Sequence, residues 1–253
     1  MRDLLAVWGN TRLVVQVAVT AALYAAVLIP FKAIAVIIPG VTEVRPANAI
    51  PIVFSLLFGP AAAWGSAFGN LIGDMLGGTL TTGSPFGFVG NFLYGYIPYR
   101  AWGAHRLARR EAGQSPLSGR GVVEYMLVGG LASVVCAVFV GWGAELVGLA
   151  PFKVLGPTIG LNNFLMAAVL GPPLLAALYP RVRKWGLLYW QVLHGERRWP
   201  SLVGTMGVIF CWVGSGAALV TGLGVAAEGA AGMAVVKAVA IPLAVVLAGV
   251  CML

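Results

Sequence analysis

One apolar stretch of the sequence carries a row of polar side chains. Ser66, Asn70 and Asp74 recur at every fourth position, so they would lie on one face of a helix. An amide donates and accepts hydrogen bonds, and a carboxylate accepts them. Burying such groups among apolar residues is costly unless they find partners. The row therefore indicates either a binding site for a small molecule or a polar contact between helices.

Further polar residues stand near the ends of other apolar stretches, with aromatic residues beside them. A mostly apolar pocket with a few polar groups is typical of a small-molecule site. The candidate substrate-binding residues are Arg45, Asn48, Asn70, Asp74, Asn91, Tyr94, Asn162 and Asn163. Two alternatives remain open: Asp74 pairs with Lys32 as a buried ion pair, and Glu145 lies at an interface rather than in a site.

The sequence predicts neither catalysis nor a bound cofactor or metal. No P-loop of the form Gly-x-x-x-x-Gly-Lys-Ser/Thr occurs. Both histidines, His105 and His194, fall in basic loops, and the cysteines Cys136, Cys211 and Cys251 show no metal-binding spacing. We interpret the cysteines as packing residues and expect a protein that is not an enzyme.

The composition places these residues in a membrane protein. Only 9% of the residues are charged and 60% are hydrophobic, whereas a soluble domain carries about 25% charged residues. A membrane span needs about 20 mostly apolar residues. We predict eight apolar segments, covering residues 13–38, 47–58, 60–78, 85–102, 122–147, 158–179, 202–223 and 232–253.

The basic residues predict the orientation of the chain. If the N-terminus is cytoplasmic and the segments alternate, twelve Lys and Arg fall inside and four outside, as the positive-inside rule expects. The outside set is Lys32, Arg45, Lys153 and Lys237. Both termini are then cytoplasmic, and the candidate polar residues converge on the outer side. The net charge of +8 therefore reflects topology rather than binding to nucleic acid.

The second apolar segment, 47–58, is too short to span, because its twelve residues would rise only about 18 Å as a helix. The preceding residues 39–46 must therefore reach into the outer half of the protein. Irregular backbone at that depth is tolerated only where protein or a cavity shelters it. This predicts a cavity that opens outward.

Two rows of small residues predict close helix contacts. Gly65, Gly69, Gly73 and Gly77 form a glycine ridge beside the polar row, and such a ridge lets another helix approach closely. Ala18, Ala22 and Ala26 form a similar alanine stripe on the first segment. The stripe indicates either packing within this chain or docking of a partner subunit.

The chain resembles the substrate-binding S components of energy-coupling factor (ECF) transporters over about residues 10–180. The resemblance rests on the alanine stripe, the short second segment with its Gly59-Pro60 turn, and the stretches 45–51 and 69–74. It implies capture of a vitamin or similar small molecule from outside. It also implies that Ala18, Ala22 and Ala26 dock onto a membrane coupling subunit that works with two cytoplasmic ATPases.

These observations predict an all-α, polytopic membrane helix bundle in a prokaryotic cell membrane. Residues 1–180 would form a six-span S-component-like core, residues 181–200 a basic cytoplasmic loop, and residues 201–253 two additional transmembrane helices of unknown role. The expected function is substrate capture for an ATP-driven importer, with the lipid bilayer as surroundings. The alternative is a stand-alone secondary transporter of a small solute.

Overall fold

The computed structural model describes residues 2–34, 36–38, 42–105, 119–193 and 201–253. Eight helices of ten or more residues dominate the described chain and confirm the predicted all-α bundle. They are α1 (Thr11–Ile34), α2 (Ala49–Phe58), α3 (Pro60–Leu76), α4 (Ser84–Ala101), α5 (Gly121–Leu146), α6 (Phe152–Lys184), α7 (Leu202–Ala227) and α8 (Met233–Met252).

Short elements complete the described structure. A two-stranded antiparallel hairpin, β1 (Val36–Ile38) with β2 (Thr42–Glu43), follows α1. The other short elements are two helices, Arg2–Ala6 and Tyr189–Val192, and two 3₁₀ turns, Val7–Gly9 and Pro46–Asn48. The hairpin and the Pro46–Asn48 turn lead the chain from α1 into α2 on the side where the candidate residues meet. Five of the arginines that we predict on the cytoplasmic side, at positions 106, 109, 110, 197 and 198, lie outside the described residues.

Five helices, α1, α5, α6, α7 and α8, are long and apolar enough to cross a membrane. By contrast, α2 has only ten residues, and all ten are buried. Its neighbours α3, α4 and α6 surround it, so the protein itself shelters a helix that is too short to span. Gly59 ends α2 with a φ of 57°, which a residue without a Cβ adopts readily, and Pro60 starts α3 directly afterwards.

The glycine ridge of α3 packs against α1. A Cβ built on Gly65 would lie 2.4 Å from Thr20 Cβ, and one on Gly69 would lie 2.8 Å from Tyr24 Cβ. Real side chains do not tolerate such distances, so the two helices approach closely only because α3 has glycine there. This contact fixes the position of α1 beside the polar row of α3.

The alanine stripe lies on a different side of α1. Ala18, Ala22 and Ala26 are exposed, whereas their neighbours Ala21 and Ala25 are buried. The interpretation of the stripe as packing within this chain is therefore wrong for the described residues. Exposed alanines on a membrane helix leave a shallow surface that a second helix can approach.

The last two helices form a tightly packed hairpin. A Cβ on Gly207 would lie 2.7 Å from the carbonyl oxygen of Gly249, and a Cβ on Gly214 would lie 2.9 Å from that of Pro242. The hairpin packs on α5 and α6. Helix α6 starts at Phe152, earlier than the predicted residue 158, because Glu145 accepts the backbone N–H of Phe152 and so supports an additional turn before Pro157.

Candidate functional site

A cavity opens at the end of the bundle where α1, α3 and α5 end and α2, α4 and α6 begin. Its polar lining comes from four of these helices and from their connecting segments. The polar lining residues are Lys32, Arg45, Asn48, Asn70, Asp74, Thr79, Thr81, Ser84, Asn91 and Asn163. Its other lining residues include Cys136, Val140, Ala144, Leu149, Leu155 and Ile159.

One hydrogen-bond network joins α1, α3 and the segment before α2. Lys32 Nζ lies 2.8 Å from Asp74 Oδ1 and donates to Thr79 Oγ1 at 2.6 Å. Asn70 donates to the other carboxylate oxygen of Asp74 at 3.4 Å, and its own carbonyl accepts from Arg45 Nη1 at 3.1 Å. The ion-pair alternative for Lys32 and Asp74 is therefore realised, and the pair stands in the cavity wall.

A second network joins α1, α4 and α6 around one tyrosine. Tyr24 Oη lies 2.8 Å from Asn48 Oδ1 and 3.1 Å from Asn91 Oδ1. Asn48 donates to Asn163 Oδ1 at 2.6 Å, and Asn91 donates to the Gly87 carbonyl. A hydroxyl has one proton, so it serves only one of the two amide oxygens fully at a time. The other oxygen retains capacity to accept a donor from a molecule in the cavity.

Six of the eight candidate binding residues line this cavity: Arg45, Asn48, Asn70, Asp74, Asn91 and Asn163. The other two stand behind the wall. Tyr94 is fully buried and donates to the carbonyl of Asn163 at 3.0 Å, while Asn162 accepts from the backbone N–H of Arg45 at 3.4 Å. These two hold lining residues in place. Substrate binding by the set stays a prediction.

Sequence reasoning left several lining residues out of the proposed site. Lys32, a possible partner of Asp74 or of a substrate carboxylate or phosphate, is not among the eight candidates, and Cys136 is interpreted as a packing residue, yet both line the cavity. Tyr24 was not singled out. Its spacing of eight from Lys32 places both on one helical face, which was an available signal. A lone cysteine in an apolar segment offers no comparable signal.

Glu145, near the end of α5, is expected at an interface, and that position stays a prediction; the structure shows its hydrogen-bond partners inside the protein. It is buried and accepts the backbone N–H groups of Phe152 and Gly232. These donors are the first residue of α6 and the residue that precedes α8, and at such helix N-termini unpaired N–H groups and the helix dipole favour a negative charge. The carboxylate is thus satisfied inside the protein, which explains why it need not reach the membrane surface.

The arrangement is suited to binding rather than to bond-making. Four side-chain amides offer both donors and acceptors, and an ion pair and a guanidinium add charged groups. Within the described ranges, no three His, Cys, Asp or Glu side chains are grouped so that they could hold a metal ion.

The family comparison agrees with this architecture. A family model described as "QueT transporter" matches residues 14–180, which is well over half of the chain. No curated protein and no solved structure matches. The resemblance to ECF S components is thereby confirmed over α1 to α6. The chain belongs to the QueT transporter family, a family of ECF-type S components.

Proposed function

We propose that this chain is the membrane-embedded substrate-capture subunit of an ECF-type ATP-driven importer. The observation that carries the proposal is the division of α1 into two faces. One face carries the exposed alanine stripe, and the other contributes Tyr24 and Lys32 to the cavity networks. A single helix thus offers a docking surface for partners and part of the substrate cavity.

The orientation of the bundle is part of the proposal. The cavity end carries Lys32, Arg45, Lys153 and Lys237, and the seven other basic residues within the described ranges belong to the opposite end. The positive-inside rule then places the cavity at the outer face of a prokaryotic cell membrane and both termini in the cytoplasm. A solute-capture subunit requires this arrangement, because it collects its substrate from outside.

The docking partners are a membrane coupling subunit and two cytoplasmic ATPases. Ala18, Ala22 and Ala26 are exposed, and the α7–α8 hairpin packs on α5 and α6 rather than on α1. The two additional helices, residues 201–253, therefore leave the stripe accessible. The core of residues 1–180 would dock in the usual way, with the basic segment 181–200 on the cytoplasmic side.

The polar lining of the cavity favours a polar organic molecule over a free ion. Asn48, Asn70, Asn91 and Asn163 line it, and amides recognise molecules that present both donors and acceptors. Lys32 and Asp74 are bonded to each other at 2.8 Å, so a substrate would meet them as a neutral pair. Both features suit an organic solute with several polar atoms.

The test is to replace Ala22 with tryptophan, which blocks close approach of a second helix. The substrate is first identified by mass spectrometry of the small molecule that co-purifies with the protein. Ala22→Trp should then bind this molecule as wild type does, yet lose ATP-dependent uptake and the complex with the coupling subunit. Ala217→Trp is the matched control, because Ala217 is also exposed but lies on α7. It should retain both binding and uptake.

Two outcomes would contradict the proposal. If Ala22→Trp abolishes binding as well, the stripe supports the cavity rather than docking. If Ala22→Trp transports like Ala217→Trp, the stripe is not the docking surface. Uptake by the chain alone, driven by an ion gradient, would favour the secondary-transporter alternative.

A further inference from the structure

The α7–α8 hairpin lies beyond the family match at residues 14–180, yet it is attached to the cavity end of the core. The attachment runs through α5. Glu145 accepts the N–H of Gly232, and Trp142 Nε1 donates to the carbonyl of Val236 at 3.1 Å. On the hairpin side, the donor (the Gly232 N–H) and the acceptor (the Val236 carbonyl) are both backbone groups at the start of α8. The two hydrogen bonds therefore fix the position of this helix end.

The Glu145 carboxylate joins two helix N-termini. One oxygen accepts from Gly232, the residue that precedes α8, and the other accepts from Phe152, the first residue of α6. Each N-terminus presents unpaired N–H groups and a partial positive charge. Gly232 has a φ of 60°, a conformation that residues with a Cβ rarely adopt. The position of α8 is therefore specified by a buried charge and a particular backbone geometry.

A side-chain contact reinforces this connection. The ring of Phe152 is fully buried, and a Cβ built on Gly222 of α7 would lie 2.5 Å from its Cε1 atom. The ring therefore packs directly on the backbone of α7. The first residue of α6 is held by Glu145 through its N–H and by α7 through its side chain.

The segment between Glu145 and Phe152 forms one side of the cavity. Leu149 in this segment lines the cavity, and so do Ala144 before it and Leu155 after it. A Cβ on Gly83 would lie 2.7 Å from Leu149 Cδ2. The α5–α6 segment thus touches the segment before α4 across the cavity. The two residues that bound the α5–α6 segment, Glu145 and Phe152, are the ones that contact the hairpin.

We propose that the α7–α8 hairpin is a brace that holds the α5–α6 segment in place as one wall of the cavity, with Glu145 as the positioning residue. Loss of the brace frees the segment around Leu149 and admits more water to the depth of Cys136. The proposal rests on the proposed function only in treating this cavity as the place where substrate enters.

Cys136 provides a direct probe, because it lines the cavity and is only 2% exposed. The parent protein carries Cys211→Ala and Cys251→Ala, so that Cys136 is the only cysteine left. The measurement is the rate at which the full-length protein in lipid nanodiscs reacts with a membrane-impermeant, cationic methanethiosulfonate reagent. Glu145→Ala should raise this rate about tenfold, and Gly222→Leu, which displaces Phe152, should raise it similarly.

The matched control is Glu228→Ala, which removes an exposed glutamate just after α7 and should leave the rate unchanged. A second version of the protein keeps Cys211 as its only cysteine. The reaction rate of Cys211 reports on the integrity of the fold, because this residue is buried between α7 and α8. Its reactivity should not change in Glu145→Ala.

An unchanged Cys136 rate in both Glu145→Ala and Gly222→Leu overturns the proposal. A parallel rise at Cys211 also overturns it, because the opening would then be a general loss of structure. The assay contains no substrate, coupling subunit or ATPase, so its result does not depend on whether the chain imports in the proposed way.

Discussion

Replacing Lys32 with methionine while Asp74 remains would leave a carboxylate without its cation inside the bundle. The two side chains are 4% and 10% exposed, and Lys32 Nζ lies 2.8 Å from Asp74 Oδ1. Solvent therefore compensates little for the lost charge. Breaking a buried pair by removing one partner costs about 3–5 kcal/mol. We expect Lys32→Met to lower the free energy of unfolding by an amount in this range.

The double variant Lys32→Met/Asp74→Asn distinguishes a pair from two independent groups. Removing both charges also removes the penalty of an isolated charge, so the double variant should recover most of the stability lost in Lys32→Met. The assay is reversible unfolding of the purified protein, with wild type, both single variants and the double variant compared as a cycle. If the losses simply add, with a coupling energy below about 0.5 kcal/mol, the two charges are not a pair and the reasoning fails.

Three further predictions concern packing, the cavity and topology. Gly69→Ala places a Cβ 2.8 Å from Tyr24 Cβ and should destabilise the protein by about 1–3 kcal/mol. Gly216→Ala, a control inside α7 with nothing within 4 Å, should not destabilise it and should raise the unfolding free energy by up to about 1 kcal/mol, because alanine favours a helix over glycine. Tyr24→Phe removes the hydroxyl shared by two cavity amides and should weaken binding of the co-purified molecule about tenfold, since a lost polar partner costs about 1–3 kcal/mol. Thr82 and Trp185 are exposed at opposite ends of the bundle. In intact cells, an impermeant thiol reagent should label Thr82→Cys and not Trp185→Cys. The reverse pattern would contradict the proposed orientation, in which the cavity faces outward.

Five of the eight helices could be predicted from the sequence because their apolar segments match the length that a bilayer demands. The short second segment was recognised for the same reason, and α2 indeed has only ten residues. The glycine ridge predicted a close contact. It did not say which helix would fill the groove, because spacing along one helix contains no information about its neighbour. The structure assigns that place to α1 through Thr20 and Tyr24.

The candidate site could be predicted in part, since polar residues in apolar segments are few and six of the eight candidates line one cavity. The division between lining and supporting residues could not be predicted. Tyr94 stands behind Asn163 and donates to its carbonyl, and only the tertiary arrangement of the helices decides this. Spacing in sequence identifies a helical face and leaves open how deeply that face is buried.

Glu145 shows why the partners of one carboxylate could not be predicted. A glutamate near the end of a span is usually interfacial, because a charge at the water boundary is less costly than one inside. Its actual partners are backbone N–H groups of residues 152 and 232. Backbone donors have no sequence signature, and one of the two lies 87 positions away. The same contact explains why α6 begins before Pro157.

The central claim is that the chain captures a solute but depends on partner ATPases to import it. The most direct measurement is uptake of the co-purified molecule into proteoliposomes that contain the chain alone, or the chain together with its coupling subunit and ATPases. The account predicts binding in both preparations and uptake only in the complete one with ATP on the ATPase side. Equal uptake by the chain alone, without ATP, would contradict it.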